Sequence, residues 1–174
     1  MSSLMNYHYQ AGVHGNNSTN HSMQYAVDLA VINANGKTVK NLLTKQNKDY
    51  AIYGERVYAP ISGRIVKVED DIEDNIPFPV KLPYNVGNHI VIQHEDCYIV
   101  LGHFQKGSVK GTVGDEVHVG DEIGVVGNSG LTPRPHIHMQ VSRCKDGDFW
   151  KAEGIPILFG EKVPYKNRIF RGEK

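Results

Sequence analysis

The stretch Pro135-His136-Ile137-His138-Met139-Gln140-Val141 decides the fold. Polar and apolar residues alternate strictly through it, and a period of two marks a β-strand with one buried face. His136, His138 and Gln140 share one side of such a strand, whereas Ile137, Met139 and Val141 share the other. One face reads as core and the other as a polar surface that carries two imidazoles. Same-face neighbours on a strand lie about 7 Å apart, which suits one metal ligand and one neighbouring group.

Working outward, the rest of the chain has the same character. Val57 to Val68 contains Pro60 and Gly63 between β-branched residues and reads as a strand, a kink and a second strand. His89-Ile90-Val91-Ile92-Gln93-His94 and Cys97-Tyr98-Ile99-Val100-Leu101-Gly102-His103 flank the polar pair Glu95-Asp96, the layout of a β-hairpin. A small echo, Val113-Gly114-Asp115 and Val119-Gly120-Asp121, reads as tight turns between short strands, and Ile123 to Gly127 leads into Asn128-Ser129-Gly130. The expectation is a mostly β protein, an antiparallel sheet or sandwich with few short helices. Residues 35–48 and 69–85 break the strand rhythm and read as insertion loops, the first with room for a short helix near Val39 to Leu43. The division expected is an N-terminal extension over 1–19, one β domain over 20–160 and a tail over 161–174, frayed from Arg171 onward.

Composition narrows the function. The 174 residues, 40% hydrophobic and 22% charged, suit a single domain with a real core. The 19 basic residues balance the 19 acidic ones, so no broad footprint for nucleic acid or anionic lipid is expected. No run is long and apolar enough for a membrane span, and the N-terminus lacks the layout of a signal peptide. Cys97 and Cys144 form neither a disulfide framework nor a C-x-x-C pair. The oddity is nine histidines beside a single Trp.

A zinc site that activates water needs three protein donors and one open position. His136-x-His138 alone is common on exposed strands. Upstream, Asn20-His21-Ser22-Met23-Gln24-Tyr25-Ala26-Val27-Asp28-Leu29-Ala30 adds an imidazole and a carboxylate. The apolar flanks of Asp28 mark it as a candidate buried acid, and a buried acid needs a metal or a hydrogen-bond cluster. Taken singly, Asp28 also fits a turn cap and His103 a half-buried imidazole. His89, His94 and His118 read as surface residues, as do His8 and His14 near the chain end.

Taken together, these residues resemble the lysostaphin-type, or LytM-type, zinc metalloendopeptidases, which cleave peptide bonds in bacterial peptidoglycan. The likeness runs from about Asn20 to Arg143. It rests on Tyr25-Ala26-Val27-Asp28, Val57-Tyr58-Ala59-Pro60 with Gly63, Gly87-Asn88-His89-Ile90-Val91-Ile92, His103-Phe104-Gln105, and Gly127-Asn128-Ser129-Gly130 before Pro135-His136-Ile137-His138. The resemblance implies Zn2+ held by His21, Asp28 and His138, with His103 and His136 serving catalysis. It also implies peptidoglycan peptides as substrate and an extracellular, wall or periplasmic setting. The family's common spacing is H-x3-D, but position 24 is Gln; His21 gives an H-x6-D variant and His14 is its rival. Chemically, two neutral imidazoles and a carboxylate leave the site at net +1, which acidifies a bound water. No HExxH glutamate is present, so an imidazole must handle protons.

Two rivals stand beside this reading. One is a non-catalytic zinc-binding or recognition module of the same fold that regulates wall hydrolases. The other is a lipoyl-carrier or sugar-phosphotransfer fold, which has no use for Asp28 and would need a modified Lys or phosphorylated His.

Overall fold

The alternating stretch becomes strand β9, Ile137–Arg143, in the middle of a nine-stranded antiparallel sheet. The structure, a computed structural model, describes residues 8–13, 21–41, 43–77, 86–144, 147–164 and 168–171. Before β9 come β1 (His8–Val13), β2 (Val27–Ile32), β3 (Arg56–Tyr58), β4 (Gly63–Glu69), β5 (Asn88–His94), β6 (Cys97–Phe104), β7 (Glu116–Val117) and β8 (Glu122–Val125). After it come β10 (Glu153–Gly154) and β11 (Arg168–Arg171). The sheet runs β11-β1-β2-β9-β6-β5-β4-β7, with β10 beside β9, and β3 pairs with β8 in a separate two-stranded sheet. Among the described residues, helix is limited to two 3-10 turns, His21–Met23 and Asn47–Asp49.

Alternation sets which face is core. Ile137 and Met139 of β9, Ile99 and Leu101 of β6, Ile90 and Ile92 of β5 and Val27 and Val31 of β2 are all buried in one cluster. Val57, Ile123 and Val126, from β3, β8 and the residue after β8, belong to the same cluster, so the small sheet closes this side. The β5–β6 hairpin turns at Glu95-Asp96, with Glu95 at φ 54°. The strand, kink and strand read over 57–68 are β3, the turn at Ala59–Ser62, and β4.

Three expectations differ from the structure. No helix forms over the described part of 39–43; Val39 instead bridges Tyr50 and is buried. An uncapped five-residue segment cannot offset helix nucleation, and a β-branched Val is better placed in an extended contact. Residues 8–13, read as part of an extension, pair with β2 along their whole length and with β11. Arg171, read as frayed, lies in β11 opposite His8.

Candidate functional site

Pairing of β2 with β9 places Asp28 directly opposite His138. Val27, Ile137 and Met139 face the core, so both polar residues emerge on the other side, a period-two consequence. His138 Nδ1 lies 3.2 Å from Asp28 Oδ1. His136, just before β9, brings Nε2 to 3.3 Å from the same oxygen. Asp28 is half-buried and not fully buried as its apolar flanks suggested: its side chain is 30% exposed, against 3% for His138.

The third imidazole arrives by a different device. On β6, Asn88 pairs with Phe104 but His89 pairs with Gly102, so His103 is the extra residue of a β-bulge. Its φ of 68° is left-handed backbone, uncommon outside glycine and a frequent mark of functional positions. Strict alternation from Ile99 and Leu101 would turn His103 into the core; the bulge places its ring 4.6 Å from that of His136 and 6.0 Å from that of His138. Gly102, opposite His138, has Val86 packed over it, and a Cβ there would lie 2.7 Å from the Val86 carbonyl oxygen.

The outer nitrogen of each ring is committed. His103 Nδ1 donates to the Ser129 carbonyl at 2.7 Å and His136 Nδ1 to the Arg134 carbonyl at 2.9 Å. His138 Nε2 donates to Gln140 Oε1 at 3.1 Å, since the Gln140 amide nitrogen donates to Ser22 Oγ at 3.2 Å. These tautomers follow from the hydrogen-bond partners. They turn His136 Nε2 and His138 Nδ1 toward the Asp28 carboxylate, which accepts from whichever ring nitrogen carries a proton there. Burial, reinforced by the other two imidazoles, pushes the His103 pKa well below the ordinary imidazole value, against the opposing pull of the Ser129 carbonyl and Asp28. His103 is therefore neutral at neutral pH.

Neutral imidazole nitrogens and a carboxylate are the donors zinc takes. Bonds of about 2.0 to 2.1 Å in a tetrahedron separate donors by about 3.3 Å, close to the 3.2 Å between His138 Nδ1 and Asp28 Oδ1. The donor chemistry fits a metal. Among the described residues, however, no group of three or more His, Cys, Asp or Glu side chains forms a metal cage. His21 lies exposed at the start of the 3-10 turn before β2; it is Ser22 from that turn that reaches the site's surroundings, through Gln140. His14 lies outside the described residues. The structure thus brings Asp28, His103, His136 and His138 together and does not bring His21 to them.

Four features went unread in the sequence. Gln140 shares the face of the two histidines and orients one of them, a role its period-two position signalled. Ser129 and Thr132 orient the others from the turn after β8, where only the Gly-Asn-Ser-Gly text hinted at tight geometry. His89, read as a surface residue, is 7% exposed and sits edge-on to Trp150 with ring centroids 5.6 Å apart. The loop carrying Phe149 and Trp150 covers this part of the sheet, packing on Val86, Val91, Tyr98 and Val100.

Comparison with known proteins identifies the family and the fold. The profile of peptidase family M23 matches residues 45–149. An uncharacterized metalloprotease of Buchnera aphidicola subsp. Baizongia pistaciae is 35% identical over 102 residues, 58% of this chain and 25% of the relative. Endolysin 2638A of Staphylococcus phage 2638A is 40% identical over 63 residues, 34% of this chain and 13% of the endolysin. The chain thus spans a quarter or less of the length of these relatives. Among solved structures, the catalytic domain of the prophage-encoded M23 protein EnpA from Enterococcus faecalis superposes with a TM-score of 0.54 at 15% identity, covering 86% of this chain and 87% of that one. The antimicrobial peptidase lysostaphin from Staphylococcus simulans superposes with a TM-score of 0.50 at 23% identity, covering 87% of this chain and 49% of that one. At these identities the superpositions establish the fold, mostly antiparallel β with almost no helix. The M23 profile covers more than half of the sequence, and on that ground the chain belongs to peptidase family M23, a family of metallopeptidases.

Proposed function

We propose that this chain is a zinc-dependent endopeptidase that hydrolyses peptide bonds in bacterial peptidoglycan. The observation that carries the reading is the convergence of His136 Nε2 and His138 Nδ1 on Asp28 Oδ1, with the opposite nitrogen of each ring already engaged. Asp28 and His138 hold the metal, and the third donor is an imidazole from the segment before β2, His21, with His14 as the rival. Reaching the site from the exposed turn requires His21 to reorient, so the two candidates are to be separated by substitution. When bound, zinc supplies a Lewis acid and an acidified water.

The chain's own residues do the rest. His103 and His136 both direct Nε2 into the site, so one accepts a proton there while the other, protonated, donates a hydrogen bond to the oxyanion of the tetrahedral intermediate. The Ser129 and Arg134 carbonyls keep both rings in that orientation. Burial of His103 excludes water from one side of the reacting groups. Peptidoglycan as substrate, and a wall or extracellular setting, rest on the likeness to an endolysin and to lysostaphin. No helix among the described residues is long and apolar enough to cross a membrane.

The test is digestion of purified peptidoglycan by zinc-loaded protein, read as newly exposed amino groups. Release that stops when the metal is chelated supports the reading. Tight zinc binding without any release would favour a non-catalytic module of the same fold.

A further inference from the structure

The turn between β8 and β9 holds the imidazoles from behind, and at its centre is a hydroxyl. Thr132 is fully buried. Its Oγ1 lies 2.6 Å from the Arg134 carbonyl and 3.2 Å from Asn128 Oδ1, and it accepts the Arg134 N–H at 3.3 Å. His136 Nδ1 lies 3.2 Å from it. A hydroxyl has one proton and two lone pairs, and this environment uses all three: the proton is shared between two oxygens, and the lone pairs face two N–H groups. Thr132 therefore fixes the very carbonyl that receives the His136 Nδ1 proton.

Asn128, also fully buried, anchors that hydroxyl to two segments that the strand pattern left as excursions. Its side-chain amide donates to Asn47 Oδ1 at 3.0 Å and to the Asn75 carbonyl at 3.2 Å. Its backbone N–H donates to Asp74 Oδ1 at 3.0 Å, and the Tyr53 hydroxyl donates to Asp74 Oδ2 at 2.8 Å. The Asn75 N–H in turn donates to the Asn128 carbonyl at 2.9 Å. The segments around 47–53 and 74–75 thus clamp the turn from outside.

We propose that Thr132 is a positioning residue for His136, held in register by this clamp through Asn128. The inference rests on the reading above that His136 serves turnover. A ring whose Nδ1 proton is fixed presents Nε2 in one direction, and loss of that constraint misplaces the reacting nitrogen without removing it.

The experiment compares the full chain with Thr132→Val, which keeps the shape and loses the hydroxyl, and with Thr132→Ser, which keeps the hydroxyl. Kinetics are measured on peptidoglycan fragments with zinc-loaded protein. Ring 1H–15N correlations are recorded on metal-stripped protein at alkaline pH. Thr132→Val should lower kcat about tenfold with KM within about twofold, bind zinc in unchanged stoichiometry, and weaken the protonated signature of His136 Nδ1. Thr132→Ser should restore most of kcat and the ring signature. A Thr132→Val protein with parental kcat and ring signature would overturn the proposal whatever its melting temperature, as would a Thr132→Ser protein as impaired as Thr132→Val. Should Thr132→Val fail to fold, Asn47→Ala, at the half-buried outer end of the clamp, should give a smaller change of the same sign; unchanged kcat and ring signals there would overturn the proposal. If the parent hydrolyses nothing, the peptidase reading falls, and the ring signals still decide whether Thr132 positions His136.

Discussion

His103 stands on left-handed backbone with its Nδ1 proton tied to Ser129, and His136 is tied to Arg134 in the same way. In the mechanism proposed above, neither is a metal donor. His103→Ala and His136→Ala are expected to keep the parental zinc stoichiometry and to lose about 10²- to 10⁴-fold in turnover; near-normal cleavage by either would remove that residue from the mechanism. A second imidazole bears on pH. Burial pushes the His89 pKa below its ordinary value, with Lys67 adding to the effect while the Gly87 carbonyl and Glu69 oppose it. Above about pH 6.5, His89 is neutral in both folded and unfolded chains, and its stabilising contribution is fully present. As the pH falls, the unfolded chain binds a proton that the folded chain refuses, so stability is lost until the depressed folded pKa is passed. In metal-stripped protein the melting temperature should therefore drop between neutral and mildly acidic pH, less steeply in His89→Gln. Identical slopes in the two proteins would contradict this.

At the level of elements, the site depends on how strands and turns meet. Gly87, just before β5, has φ 64°, and a Cβ there would lie 2.2 Å from the Ser129 carbonyl oxygen that holds His103. Gly87→Ala is expected to cost about 3 kcal/mol or more, because strained backbone and a clash with fixed backbone act together. Denaturant unfolding measures it, and a loss under about 0.5 kcal/mol would show that the turn moves freely. Much at this scale was legible. The face shared by His136, His138 and Gln140, the hairpin at Glu95-Asp96 and the break between β3 and β4 all follow from alternation and turn chemistry. The bulge at His103 did not, because β6 is apolar on both faces, with Ile99 and Leu101 on one side and Tyr98 and Val100 on the other, so a one-residue shift of phase has no polar–apolar alternation to interrupt and shows only in the register of the partner strand. The clamp on Asn128 was hidden for a related reason: its Asn, Asp and Tyr side chains make tertiary contacts between loops that look merely polar in sequence.

Over the whole molecule, the order β2-β9-β6 brings Asp28, His138 and His103 to one face, although Asp28 and His138 are 110 residues apart. Periodicity cannot supply such an order, and the family resemblance grouped these residues without giving it. The opposite face is closed by the small β3–β8 sheet over a core that includes Phe104 and Ile90, both fully buried. If the donors above hold zinc, the metal ties β2 to β9 and stabilises the folded chain by mass action, by about 4 kcal/mol at a free concentration a thousandfold above Kd. Chelation should then lower the melting temperature of the parent and leave that of Asp28→Ala unchanged. An equal response in both would place the stabilising metal elsewhere. The central claim is that Asp28 and His138 are metal donors, and the most direct measurement is a calorimetric zinc titration of metal-stripped parent and Asp28→Ala protein side by side. The account predicts one tight site per parent chain that disappears in the variant; a parent without a tight site, or a variant that keeps it, would contradict it.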